Sequence, residues 1–175
     1  MNRLRIVVNV IAYQCAWFAC VLSAAAQRPL IGVMVVVTIV LWHLWSAREP
    51  RRELQLVIIA ALCGAAFETL LIASGWVHME PTVLLGRITP LWMVALWAAF
   101  ATTLNVSLRA LRPHYLWSAL LAAAGAPLAY FAGARLGALQ WVNEVPALLV
   151  IALGWALLTP LLMKSAQRFD GFTAA

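Results

Sequence analysis

Charge is what this chain has least of. Only 10% of its 175 residues are charged, against 65% hydrophobic, whereas soluble domains are about half apolar and a quarter charged. That balance excludes an ordinary soluble globular domain and marks an integral membrane protein. Cysteine is also sparse. Cys15, Cys20 and Cys63 all lie inside apolar stretches, and none belongs to a C-x-x-C pair or a metal-ligand spacing. They read as small buried apolar residues. There is no Gly-rich phosphate loop, no His-rich metal motif and no Ser-His-Asp set, so neither a cofactor nor a metal is expected. Acids are few, and Glu68 alone lies deep within an apolar run. Paired-carboxylate chemistry in the membrane is therefore not expected.

What remains is mostly basic or apolar. Twelve Lys and Arg against six Asp and Glu give a formal charge of +6, which in a soluble chain would suggest nucleic acid. Here the basic residues sit between apolar runs, where they set membrane orientation instead, and no nucleic-acid partner is expected. The runs predict an all-α, polytopic six-transmembrane-helix bundle forming one domain over 1–175, with spans at about 5–26, 30–45, 54–75, 91–111, 116–137 and 145–163. The first run resembles a signal peptide, with Ser23 to Ala26 as a small-residue cleavage site. Its length and its internal Asn9 and Gln14 favour a retained helix. Pro29 and Pro90 read as first-turn prolines. The charged stretch from Ser46 to Glu53 reads as a loop, the segment from Val77 to Thr89 as the longest connection, and Lys164 to Ala175 as a polar tail. With the N-terminus inside, the cytoplasmic side holds Arg3, Arg5, Arg48, Arg51, Arg52, Arg109, Arg112, Lys164 and Arg168, and the outer side Arg28, Arg87 and Arg135. The positive-inside rule then puts both termini in the cytoplasm.

The third run, Leu54 to Gly75, carries the most informative residue. A carboxylate costs about 2.5–3.5 kcal/mol near the centre of a spanning helix, but the surrounding Leu, Ile, Val and Phe return about 0.3–0.6 each. Ala61, Gly64, Ala65, Glu68 and Gly75 share a small, packable face, which directs the acid at other helices. Intramembrane ionisable residues are candidate functional groups. Helical rise puts Glu68 roughly 21 Å from the cytoplasmic start of its helix, level with Tyr130 in the fifth run and below Arg135. An outward-facing pocket of Glu68, Tyr130 and Arg135 is the leading candidate site. Two readings of Glu68 stay open: an ion pair with Arg135 that fixes packing, or handling of substrate or protons. Asn105 and Asn9 lie at comparable inner depths and form a second candidate cluster, with interhelical hydrogen bonding as its plain reading. Gly125, Ala129, Gly133 and Gly137 recur at every fourth residue. The Gly133-x-x-x-Gly137 pair reads as a close seat for a partner helix or a second copy. Trp17, Trp97 and Trp155 stand away from the membrane interfaces and read as packing.

Several landmarks resemble an uncharacterised bacterial family of small multi-pass inner-membrane proteins, a domain of unknown function. They are Asn9, Gln14-x-x-Trp17-Phe18-x-Cys20, Glu68, Pro90-x-Trp92-x4-Trp97, Phe100-x4-Asn105, and Gly125-x-Pro127-x-x-Tyr130-x-x-Gly133-x-x-Leu136-Gly137. The resemblance covers nearly the whole chain. In that pattern the third-helix acid is often Asp, so Glu68 is a modest departure. The resemblance implies a bacterial inner-membrane location, and relatives encoded near lipid-modifying enzymes point toward membrane-lipid metabolism. It carries over no functional residues.

Three functions follow from these expectations. The first is a non-enzymatic protein that binds or moves a small or lipidic molecule around Glu68. The second is a membrane-embedded enzyme of lipid or isoprenoid metabolism, with Glu68 as acid and base. The third is an assembly or scaffold subunit docking through the glycine stripe.

Overall fold

The computed structural model describes residues 2–81 and 87–173. Six helices follow one another: α1 (Arg3–Ala25), α2 (Pro29–Ser46), α3 (Pro50–Ala73), α4 (Leu91–Leu104), α5 (Tyr115–Arg135) and α6 (Glu144–Arg168). All but α4 are long and apolar enough to cross a membrane, which marks a multi-pass membrane protein. Their starts follow local chemistry. Asn2 caps α1 by accepting from the Leu4 N–H at 3.1 Å, and Pro29 and Pro50 open α2 and α3, where a missing N–H costs nothing.

The fourth span differs from the expected 91–111. Helix α4 ends at Leu104, and a turn with a short 3-10 segment, Arg109–Leu111, completes the stretch. At 14 residues it is about 21 Å long, short of a hydrocarbon core of roughly 30 Å. Thr102 and Thr103 turn their hydroxyls back onto the carbonyls of Ala99 and Phe100, and Asn105 bonds elsewhere. Non-helical backbone at such a place is tolerated because protein surrounds it. Most of α4 is buried, and it packs against α1, α2, α3 and α6. A helix apolar on every side becomes the core of its bundle.

A second difference lies at the start of α3. The charged stretch through Glu53 is not all loop, because the helix begins at Pro50 and Glu53 is buried inside it. A third is a small ribbon on the connections at the other end of the bundle. Strands β1 (Val77–Met79) and β2 (Leu139–Trp141) pair antiparallel, with His78 opposite Gln140. The N–H groups of Val142 and Asn143 add bonds to the Trp76 carbonyl, at 2.9 and 3.1 Å. Residues 82–86 of the expected 77–89 connection lie outside the described residues.

The start of α1 and the segment after α6 lie together at one end. The Arg5 guanidinium stacks over the Phe172 ring at 4.9 Å and donates to the Ser46 carbonyl. The tail is not a loose appendage there: the N–H groups of Arg48 and Glu49 both bond the Gly171 carbonyl, at 2.9 and 3.0 Å.

Candidate functional site

Gly64 and Glu68 are one helical turn apart on α3, and the glycine makes the acid's environment. A Cβ at Gly64 would fall inside the indole of Trp97. Without one, the Trp97 ring lies against α3 and its Nε1 donates to Glu68 Oε1 at 3.0 Å. Tyr130 of α5 donates its hydroxyl to the same oxygen. Glu68 is wholly buried, and its Oε2 has no hydrogen-bond partner. A buried polar atom left in this way costs roughly 1–3 kcal/mol. Of the expected trio, the structure joins Glu68 to Tyr130 and supplies Trp97. Arg135 does not join them. It lies exposed at the end of α5, and no Arg135–Glu68 ion pair occurs among the described residues.

Trp97 and Tyr130 also form part of the wall of a cavity of about 260 Å³ between α1, α4, α5 and α6. Trp97 stacks on Trp155 with centroids 4.3 Å apart, and Phe100 meets the edges of both. Tyr13 and Trp17 of α1 close the facing side. The wall runs along α5 from Ser118 to Gly133, about 22 Å by helical rise. Leu121 and Gly125 line it and are nonetheless exposed, so it opens sideways. Among the described residues its lining contains no Lys, Arg, His, Asp, Glu or Cys. Trp17, Trp97 and Trp155, expected only to pack, all line it.

Within this chain the glycines of the stripe face different surroundings. A Cβ at Gly125 would meet nothing within 4 Å, and one at Gly133 only the Leu139 side chain at 3.7 Å. Gly125, Ala129 and Gly133 line the cavity, whereas a Cβ at Gly137 would meet the Ala25 side chain of α1 at 3.6 Å. Gly137 lies beyond α5 with φ +89°, where the Ala138 N–H reaches back to the Gly133 carbonyl at 3.0 Å. It is the left-handed residue that ends the helix. The close approaches belong to other glycines. At Gly32 a Cβ would lie 2.5 Å from Cys20 Cα, and at Gly154 it would enter the Phe67 ring.

Asn9 and Asn105 both lie at the end of α4, but among the described residues no hydrogen bond joins them. Asn9 donates to the Thr102 carbonyl and accepts from the Ser107 N–H, so it spans the end of α4. Asn105 donates to Glu53 Oε1 at 2.8 Å and to the Phe169 carbonyl at 3.1 Å, and accepts from Arg112 at 2.6 Å. The hub is Glu53, which sequence reading left in a loop. His43 Nε2 lies 2.8 Å from its Oε2, and the Gly171 N–H donates to Oε1 at 2.7 Å. Asp170 pairs with Arg109 and Arg112 at 3.0 and 2.9 Å. Partial burial alone would raise the Asp170 carboxyl. Bonds from the Phe172 N–H, Arg112 and Thr173, with the charge of Arg109, hold it below the usual aspartate value. Nothing local in the sequence announces this cluster. The one available signal was a lone acid, Glu53, opening an apolar run.

No curated protein and no solved structure matches the chain. One family does: its sequence profile, described as a protein of unknown function, DUF2878, matches residues 6–161. A match over most of the length, on a fold of six helices around a buried acid, places the chain as a member of that family.

Proposed function

We propose that the protein binds, or passes along, a small apolar or lipidic molecule held in the cavity between α1 and α5. The observation that supports this is the cavity's shape and lining. It is long, apolar, walled by four helices, and open at Leu121 and Gly125 toward the side where lipid would lie. Ligand sites are concave and mostly apolar with a few placed polar groups, and Ser118, Tyr130 and Thr159 supply those groups in the lining, with Glu68 bonded behind Tyr130. Nine basic residues on the side of the termini against three on the other favour cytoplasmic termini in a bacterial inner membrane. An enzyme of lipid or isoprenoid chemistry draws on the same Glu68–Tyr130 pair.

Native mass spectrometry of gently extracted protein tests the reading. A lipid-sized adduct is expected on the wild type. Gly125→Leu projects into open space, so it should fill the cavity and remove the adduct without lowering thermal stability relative to a Leu120→Ile control. Equal adducts on both variants would overturn the assignment to this cavity.

A further inference from the structure

The cavity wall carries two hydrogen-bond donors that no other described residue uses. We infer that the occupant presents an uncharged carbonyl oxygen to Trp155 and Thr159, on an otherwise apolar body such as an acyl ester or a long-chain ketone. The inference deepens the cavity reading above and rests on it.

Three observations carry it. First, Trp155 and Thr159 lie one turn apart on α6, and both line the cavity. Among the described residues, Trp155 Nε1 and Thr159 Oγ1 are buried without a partner, and no other unpartnered buried side-chain atom belongs to a lining residue. The Tyr130 hydroxyl stands beside the Trp155 indole N–H, but no hydrogen bond joins them. Second, Thr159 departs from the habit of the bundle. Ser23, Thr102, Thr103 and Ser118, the other buried helical Ser and Thr, each donate to the carbonyl three residues back. Thr159 is 4% exposed and makes no such bond. Third, the pair lies at the depth of the lateral opening. The Tyr115 hydroxyl donates to Gln167 across α5 and α6, which sets their antiparallel register. About 12 Å of helical rise from that bond along both helices puts Thr159 level with Ala123. That is between Leu121 and Gly125, where the cavity opens.

The donors define the group that answers them. An indole N–H can only donate, and the Thr159 hydroxyl still has its proton to give. A carbonyl oxygen offers two lone pairs and brings no hydrogen of its own, so one such oxygen serves both. The two polar atoms lie just under the wall, and a turn of the Thr159 side chain with a tilt of the indole presents them. The penalty of leaving buried donors unmet is removed when the oxygen arrives. Other heads fit less well. A carboxylate or phosphate would be buried with no basic side chain in the described lining, and an unpaired buried charge is costly. An ammonium would meet the Trp155 donor and no acid in that lining. A sugar carries more hydroxyls than the few polar lining groups can answer. A bare hydrocarbon leaves both donors unspent.

The test compares chains of matched length that differ in one group. Pentadecyl methyl ketone, the alcohol made by reducing it, methyl palmitate, heptadecane and hexadecanesulfonate are titrated onto the full chain. Maltoside micelles are used because they bring no carbonyl. With isotope-labelled tryptophan, the indole N–H signals of the lining tryptophans report binding by nuclear magnetic resonance. A downfield move of the Trp155 proton, assigned through Trp155→Phe, reports its hydrogen bond. Both carbonyl probes should move that proton and bind about tenfold tighter than heptadecane, a difference of about 1.4 kcal/mol. The alcohol should bind more weakly than the ketone, and hexadecanesulfonate worst. Ester above ketone would support an acylated lipid as the source, and ketone above ester a quinone-like one. Thr159→Val keeps the shape and removes the hydroxyl. It should lower affinity for the carbonyl probes about fivefold, with heptadecane affinity and thermal stability unchanged. Equal ketone and heptadecane affinities, or a Trp155 proton unmoved by the ketone, would overturn the carbonyl inference and leave the cavity reading standing. An alcohol as tight as the ketone would overturn the carbonyl in favour of a hydroxyl. No binding of any probe would overturn both readings. The wild-type titrations decide the matter even where Thr159→Val does not fold.

Discussion

Two carboxylates on α3, Glu53 and Glu68, are both wholly buried, about 22 Å apart along the axis, and have opposite surroundings. Glu53 is saturated: His43 meets one oxygen, and Asn105 and Gly171 meet the other. Glu68 receives Trp97 and Tyr130 on one oxygen and nothing on the second. Around Glu53 lie chain ends, basic residues and backbone donors, all drawn inward. Around Glu68 lie rings and an open space. A fully satisfied buried network fixes structure, whereas a partly satisfied one keeps interaction capacity in reserve. The same residue type on the same helix is thus a fully bonded hub at one end and a half-bonded acid at the other.

The largest break in this contrast should come from Glu53→Ala. It strands His43, the Asn105 amide and the Gly171 N–H, and removing one partner of a buried pair costs about 3–5 kcal/mol. A melting temperature in detergent close to wild type would mean that the cluster does not hold the bundle together.

Gly64→Leu comes next. The added side chain enters the space of Trp97, where overpacking costs about 1–3 kcal/mol, and it should also pull Nε1 away from Glu68. Thermal melting beside Gly125→Leu, which meets open space, sharpens the comparison. Similar losses for both glycines would contradict their different surroundings.

A smaller effect concerns the tail. The folded Asp170 carboxyl is held below its ordinary value, so its contribution is present above about pH 4, the unfolded aspartate range. It is lost as pH falls through the folded value. Protection factors across 169–173, corrected for the intrinsic pH dependence of exchange, should therefore fall on acidification, and Asp170→Asn should show the same low protection at both pH values. Tail protection unchanged by either step would remove Asp170 as its anchor.

The smallest effect is expected for Arg135→Gln. The residue is exposed and outside the Glu68 site, so stability should stay within about 0.5 kcal/mol of wild type. A loss comparable with Glu53→Ala would restore the Arg135–Glu68 pair.

Much of the fold was legible because membrane insertion is a local property. Run length, with Pro29 opening α2, locates α1, α2 and α5 to within two residues at each end, whereas α3 starts four residues early at Pro50 and α6 runs on to Arg168, past the expected 163 and into the expected polar tail. The fourth span was overextended because Leu104, Val106, Leu108, Ala110 and Leu111 continue its apolar residues between polar ones, while the helix ends where Asn105 finds Glu53, Phe169 and Arg112. The glycine stripe shows a related limit. Spacing shows that a surface is smooth, but not whether a helix or a void lies against it.

The sequence by itself therefore determined the solvent and the elements: a chain this apolar, broken at these intervals, must satisfy its backbone within helices in lipid. It also determined that Glu68 sits within one of them and turns from lipid. Tertiary structure alone decided who answers each acid. Trp97 and Tyr130 come to Glu68 from 29 and 62 positions away, and Gly171 to Glu53 from 118. Hydrogen bonding acts over about 3 Å, and only the packed bundle brings such distant positions that close.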